Sequence, residues 1–110
     1  VDTIEQLQAD GHTVKIVTAS HPKTVALKAE ILLNAFKTLS WKDLIVTTNK
    51  SLVMGDTLVD DNPDNLIGGQ YKKLLFDRPW NWYCDAEQNE MIRVYNFNDI
   101  YSEINKIAIA

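Results

Sequence analysis

The sequence predicts an α/β fold in which a parallel sheet of short strands carries helices on both faces. Short β-rich runs alternate with helical patterns along the chain, as they do in parallel α/β proteins. These runs are apolar at nearly every position, which is typical of strands buried on both faces. The length of 110 residues suits one domain at most, and the apolar content of 45% is sufficient for a core.

The first half of the chain is predicted to contain the end of a helix, a strand, a long helix and a second strand. Ile4 and Leu7 share one helical face, and Gly11 can take the positive φ that ends a helix. Apolar positions at helical spacing follow the first strand, and a β-rich run follows them. The predicted elements are a helix end at 4–9, a strand at 14–17, a helix at 23–36 and a strand at 44–47.

The second half is predicted to continue the alternation. Pro63 suits the first turn of a short helix, where its missing N–H is not needed. Asn98 and Asp99 are expected to cap the closing helix. The predicted elements are a strand at 57–59, a short helix at 62–66, a strand at 73–76, a fifth strand or merely extended segment at 92–95, and a helix to about residue 107.

Three strand ends carry polar side chains, and ligands of open α/β sheets bind beyond the carboxyl ends of the strands. At the first end, the Thr18 hydroxyl and the backbone N–H groups of Ala19 and Ser20 can donate to phosphate oxygens. After the second strand, Lys50 offers a compact positive charge suited to a phosphoryl oxygen. The sequence therefore predicts a phosphate site formed by these four residues.

The third strand end carries two adjacent acids, Asp60 and Asp61. Successive side chains of a strand point to opposite faces, so one acid can face a metal while the other faces Lys50 or a backbone donor. Carboxylates are the hard oxygen ligands that Mg²⁺ prefers, and a metal with a lysine stabilises charge during phosphoryl transfer. We expect Thr18, Lys50 and Asp61 to meet at one rim of the sheet.

The motifs KIVTAS at 15–20 and TTNKSLVMGDTLVDDNPDNL at 47–66 resemble those of the haloacid dehalogenase (HAD) superfamily of phosphatases. They match its second, third and fourth motifs in order. Lys50 precedes Asp60 by ten residues, and Pro63 follows the acids at once, which resembles the 5'(3')-deoxyribonucleotidases more narrowly. The later run KKLLFDRPWN at 72–81 is similar to the strand and Pro-x-Asn loop that follow the acids in that family.

The resemblance implies a HAD-like, Rossmann-like three-layer fold and a magnesium-dependent phosphomonoesterase. Such an enzyme hydrolyses deoxynucleoside monophosphates through an aspartyl-phosphate, with a second aspartate as general acid and base. By position, Thr18 and Lys50 would bind phosphate, and Asp61, or alternatively Asp60, would bind Mg²⁺. The catalytic residues implied are Lys50, Asp60 and Asp61.

The sequence departs from the family at the first motif, Asp-x-Asp, which is absent. In the family this motif lies on a central strand between the strands that here end at Thr18 and Asp60. Residues 1–110 are therefore predicted to form a partial HAD-like core, with the nucleophile strand and the cap supplied by an N-terminal segment or a companion chain. The chain begins without Met, in what reads as mid-helix, so a fragment or a processed or tagged start is expected. The chain alone is expected to be inactive.

Two other functions stay open on the sequence. One is a receiver-like or flavodoxin-like module that binds Mg²⁺ without turnover. The other is an inactive remnant that binds a partner through the Trp-rich loop of Trp80, Trp82 and Tyr83. Assembly as a homodimer is also left open.

Composition limits the partners and the compartment. The net charge of −4 argues against binding to a nucleic acid polymer, although a mononucleotide needs only a local pocket. The single cysteine, Cys84, cannot form an internal disulfide and fits a reducing compartment. No apolar run is long enough to span a membrane, and no signal peptide is visible. These features together predict a cytoplasmic protein.

Overall fold

The structure is a computed structural model that describes residues 2–19 and 21–109, with side chains described for 3–19 and 21–106. The chain divides into two compact units, Val1–Thr48 and Asn49–Ala110. We call them the N-terminal and the C-terminal unit. Each contains a parallel β-sheet, which confirms the predicted α/β class. A three-layer fold with a single sheet, completed by a central strand from outside this chain, stays a prediction.

The N-terminal unit pairs two short parallel strands. Its capping chemistry is local: the 3₁₀ helix Trp41–Asp43 follows Ser40, whose backbone N–H donates to the Asp43 carboxylate at 2.8 Å. The same carboxylate pairs with Lys15 at 2.8 Å, just before the first strand. The helices and strands are α1 Asp2–Ala9, β1 Ile16–Thr18, α2 Val25–Ala35 and β2 Leu44–Val46.

The C-terminal unit contains a sheet of three parallel strands in the order β3-β4-β5. Its elements are β3 Thr57–Asp60, β4 Lys72–Phe76, β5 Met91–Val94 and α3 Phe97–Ile109. The segment at 92–95, left open by the sequence, is a strand as far as Val94, and the strand begins one residue earlier, at Met91. The short helix predicted at 62–66 is a 3₁₀ helix, Pro63–Asn65, and two further 3₁₀ helices cover Lys50–Leu52 and Pro79–Asn81.

The core of this unit lies on both sides of β4. Leu74 and Leu75 are adjacent and both fully buried, so they point to opposite faces of the sheet. Leu75 packs with Leu66, Tyr71 and Met91, whereas Leu74 packs with Val94 and Ile100. Burial on both faces is therefore confirmed for the middle strand. It is incomplete in β5, where Ile92 is 38% exposed.

The cap of α3 differs from the prediction. The Asn96 side chain accepts a hydrogen bond from the Asp99 N–H at 2.9 Å, and the Asp99 carboxylate accepts from the Tyr95 N–H at 3.0 Å. The helix thus begins two residues earlier than expected, because Asn96 rather than Asn98 supplies the capping oxygen. Among the described residues, no helix has both the length and the apolar character needed to cross a bilayer.

Candidate active site

Asp60, the last residue of β3, forms a buried ion pair with Lys50. The Lys50 Nζ lies 2.6 Å from Asp60 Oδ2, and the two side chains are only 12% and 6% exposed. Asn65 Nδ2 donates to the same oxygen at 3.2 Å, and the Asn62 N–H donates to Oδ1 at 3.0 Å. Both carboxylate oxygens therefore already accept hydrogen bonds, and the buried negative charge is balanced by a buried ammonium.

Tyr71 supports the backbone on both sides of this ion pair. Its hydroxyl lies 3.2 Å from the carbonyl oxygens of Lys50 and Asn65. Burial of the ring, followed by the negative charge of Asp60, raises the pKa of the Tyr71 hydroxyl. The hydroxyl therefore remains a protonated donor at neutral pH and links the two segments that hold the ion pair.

Asp61 has different surroundings from Asp60. It is exposed, and within the described part of the chain its carboxylate has no hydrogen bond and no ion pair. Its backbone carbonyl accepts a hydrogen bond from Asn81 Nδ2 at 2.8 Å. A free carboxylate at the carboxyl end of a parallel strand is suited to a hard cation.

The turn after the two acids follows from local sequence chemistry. Asn62 accepts a hydrogen bond from the Asp64 N–H at 3.1 Å, and Pro63 occupies the first turn of the 3₁₀ helix. Pro63 is also buried, so the chain turns away from the strand directly after Asp61. This confirms the expectation that Asn62 and Pro63 begin a helix at the rim of the sheet.

The predicted phosphate site in the N-terminal unit is described only in part. Thr18 ends β1 and is 6% exposed, and its carbonyl accepts a hydrogen bond from the Thr47 N–H at 3.0 Å. Ala19 follows it and is exposed, and Ser20 lies outside the described residues. The meeting of Thr18 with Lys50 at one phosphate stays a prediction.

Sequence reasoning gave no site role to four residues that build the C-terminal site, namely Asn65, Tyr71, Asn81 and Arg93, although Asn81 ends the Pro-x-Asn loop matched to the family. Asn81 is completely buried, and its Nδ2 donates to the carbonyls of Asp61 and Phe76, each at 2.8 Å. The sequence also held a signal for Arg93. Arg93 is the only charge in the otherwise apolar run 91–94, and a charge in a strand expected to be buried requires partners.

Comparison with known proteins assigns the chain to a family. The family model described as "5' nucleotidase, deoxy (Pyrimidine), cytosolic type C protein" matches residues 1–109. A 5'(3')-deoxyribonucleotidase of Bacillus subtilis is 31% identical over 91 residues, which are 81% of this chain and 51% of that protein. A protein of the same name from Bacillus phage SPbeta gives the same values.

A 5'(3')-deoxyribonucleotidase of Clostridium acetobutylicum is 38% identical over 80 residues, which are 73% of this chain and 42% of that protein. The chain thus spans about half the length of the curated relatives it matches. The resemblance drawn from the motifs is confirmed: this chain belongs to the cytosolic type C family of 5' deoxynucleotidases, within the HAD superfamily.

Proposed function

We propose that the protein containing this chain is a magnesium-dependent phosphomonoesterase that hydrolyses deoxynucleoside monophosphates. The observation that carries the proposal is the buried ion pair of Lys50 and Asp60 beside the free carboxylate of Asp61. The relatives support the substrate class, since they are named 5'(3')-deoxyribonucleotidases. A localisation in the cytoplasm is part of the proposal.

Lys50 is the residue of this unit best suited to contact the phosphate. An ammonium group has three donor hydrogens. Among the described residues, Asp60 is the only acceptor of Lys50 Nζ, which leaves two hydrogens for phosphoryl oxygens. Asp60 would fix the direction of the ammonium group, and Thr18, Ala19 and Ser20 would contribute further donors to the same phosphate.

Asp61 fits the role of one magnesium ligand. Its carboxylate is exposed and unoccupied by other groups of the described chain, whereas both oxygens of Asp60 already accept hydrogen bonds. The described residues contain no cluster of three His, Cys, Asp or Glu that would hold a metal unaided. The other ligands would therefore come from the substrate, water or a further protein segment. When bound, the cation would offset negative charge on the phosphoryl group.

The nucleophile is proposed to come from an Asp-x-Asp strand that this chain does not contain. Transfer of the phosphoryl group to that aspartate breaks the P–O bond to the sugar, and the nucleoside leaves with a proton from the second aspartate. Water then cleaves the aspartyl-phosphate. An N-terminal segment of the same protein or a companion chain would supply this strand.

The edge of β3 supports the presence of such a strand. Among the described residues, β3 pairs only with β4. Backbone groups along a strand edge are normally paired or covered, so a strand from outside the described residues would have an edge of β3 to pair with.

The test is phosphate release from dUMP or dTMP by the complete protein in the presence of Mg²⁺. Asp61→Asn removes no described side-chain contact and is expected to lower kcat by about 10²–10³-fold, as does the loss of an electrostatic stabiliser elsewhere. Asp56→Asn is the matched control, because Asp56 is likewise exposed and directly precedes the same strand. Lys50→Ala is expected to lower the rate as well, and its melting temperature is measured alongside.

Unchanged rates in both Asp61→Asn and Lys50→Ala would contradict the proposed site. If the complete protein bound Mg²⁺ without releasing phosphate, the non-catalytic module would be the better description. The aromatic side chains of Trp80, Trp82 and Tyr83 are 59%, 66% and 77% exposed. Absence of both metal binding and turnover would favour the partner-binding remnant that these side chains suit.

A further inference from the structure

A hydrogen-bond network around Asn81 joins the three strands of the C-terminal unit. Asn81 Nδ2 donates to the carbonyls of Asp61 and Phe76, both at 2.8 Å, just beyond β3 and at the end of β4. Its Oδ1 accepts from Arg93 Nη1 of β5 at 2.7 Å and from the Arg78 N–H at 3.3 Å. A carboxamide has two donor hydrogens and one oxygen with two lone pairs, so all its hydrogen-bonding capacity is used.

Arg93 holds Asn81 in this orientation. Its Nη1 also pairs with the Asp77 carboxylate at 3.0 Å, and its Nη2 donates to the carbonyls of Asn81 at 3.2 Å and Cys84 at 2.9 Å. A guanidinium group is planar and presents its donors in a rigid fork. The segment 77–84 is therefore fixed against β5, and the Asn81 amide is fixed with it.

We propose that Asn81 is a positioning residue that places the Asp61 carboxylate for cation binding, with Arg93 holding Asn81 in turn. This inference rests on the proposed function. The Asp61 side chain has no described partner, so its position depends on its backbone. Asn81 Nδ2 is the described donor to that backbone carbonyl. Groups that orient a metal ligand change metal affinity or activity by about 10–100-fold when they are removed.

The substitution Asn81→Asp tests the hydrogen-bond donors of the carboxamide separately from its acceptor oxygen. The substitution preserves shape and keeps an oxygen acceptor for Arg93, but it removes the donors to the carbonyls of Asp61 and Phe76. The added negative charge would by itself attract a cation, so a weaker metal affinity cannot arise from the charge. Asn89→Asp is the matched control, because Asn89 is exposed and its amide donates to the Asp85 carbonyl.

The measurement is Mn²⁺ binding to the complete protein, followed by electron paramagnetic resonance, with Mn²⁺ as the probe of the magnesium site. We expect Asn81→Asp to raise the Kd for Mn²⁺ by about 10–100-fold. Asn89→Asp should bind as the wild type does. At saturating metal the KM for dUMP should stay near the wild-type value. A structural defect alone would lower the folded fraction without changing the Kd of the folded molecules.

A folded Asn81→Asp variant with the wild-type Kd would overturn the inference. If circular dichroism shows that this variant does not fold, Arg93→Lys decides by the same criterion, because lysine keeps the charge but cannot span the contacts of the guanidinium group. If the wild-type protein binds Mn²⁺ but has no phosphatase activity, the proposed function alone is wrong. If the wild-type protein binds no Mn²⁺, both the proposed function and the inference about Asn81 are wrong.

Discussion

At the scale of single residues, the neighbouring acids at the end of β3, Asp60 and Asp61, differ in what surrounds them. Asp60 is buried and accepts hydrogen bonds on both oxygens, whereas Asp61 is exposed and is held through its backbone. Asp60 is the last residue of β3, whereas Asp61 lies in the bend that follows the strand. One acid thus serves to fix Lys50, and the other is left to bind something from outside the described chain.

Breaking the Lys50–Asp60 pair should be costly. Lys50→Met leaves a buried carboxylate without its counter-charge, and we expect a loss of about 3–5 kcal/mol in the free energy of unfolding. Chemical denaturation measures this loss. Lys15→Met is the control, because its pair with Asp43 spans a similar 2.8 Å while the Lys15 side chain is 40% exposed. That variant should lose less than about 1 kcal/mol.

A double-mutant cycle refines the same prediction. Lys50→Met combined with Asp60→Asn removes both charges, so the combined loss should be smaller than the sum of the two single losses. Strict additivity would show that the two side chains do not interact in solution.

Tyr71 should make stability depend on pH in the alkaline range. Because its pKa is raised in the folded state by burial and by Asp60, its contribution is fully present below about pH 10, the ordinary pKa of tyrosine. The contribution is lost as the pH rises through the higher folded value. Tyr71→Phe should lower stability by about 1 kcal/mol at neutral pH and flatten the alkaline decline. Thermal melts between about pH 8 and 11 test this, with exposed Tyr83→Phe as the control.

At the scale of elements, the link between the 3₁₀ helix Pro63–Asn65 and β4 depends on close contact between the backbone of Gly69 and the ring of Tyr71. A Cβ atom built on Gly69 would overlap the ring of Tyr71. Tyr71 in turn is buried and contacts the carbonyls of Lys50 and Asn65. Glycine at position 69 therefore allows the ring to reach the backbone around the ion pair.

Gly69→Ala should push the Tyr71 ring out of place and cost about 1–3 kcal/mol, as overpacking does. Gly55→Ala is the matched control, since no atom lies within 4 Å of the Cβ position there. That change should alter the free energy of unfolding by less than about 0.5 kcal/mol. Equal melting temperatures for the two variants would contradict the close approach.

The sequence predicted the elements better than it predicted the contacts of the site. Among the described residues, apolar runs located four of the five strands and left the fifth open between a strand and an extended segment, because residues buried on a sheet are mostly apolar. The ends of elements were less accurate, as the Asn96 cap of α3 shows. The roles of Asn81 and Arg93 were not predicted, because most of their partners are 5 to 20 residues away in the chain and meet only after the sheet forms.

At the scale of the whole molecule, the family model matches residues 1–109 of the chain. The chain nevertheless spans only about half the length of its curated relatives. The motif that would supply the nucleophile is absent from its sequence. The proposed reaction needs that aspartate, since neither Lys50 nor the acids at the end of β3 are placed in that role by the family pattern.

We expect the purified chain of residues 1–110 to release no phosphate from dUMP in Mg²⁺, while the complete protein does. A colorimetric phosphate assay on both proteins at equal concentration measures the difference. Turnover by the short chain, free of any partner, would show that residues 1–110 are sufficient for the reaction and would require a different mechanism.

In the sequence, Asn81 is flanked by Trp80 and Trp82, whose indoles are exposed while the Asn81 side chain is buried. Tryptophan emission responds to the water around the ring, so in a Trp41→Phe background, which removes the third exposed indole, these two side chains would report on the segment that holds Asp61. Loosening of that segment would register as altered quenching by acrylamide before the sheet itself unfolds. Fluorescence of Trp80 and Trp82 therefore offers a way to follow the segment around Asn81 without an added label.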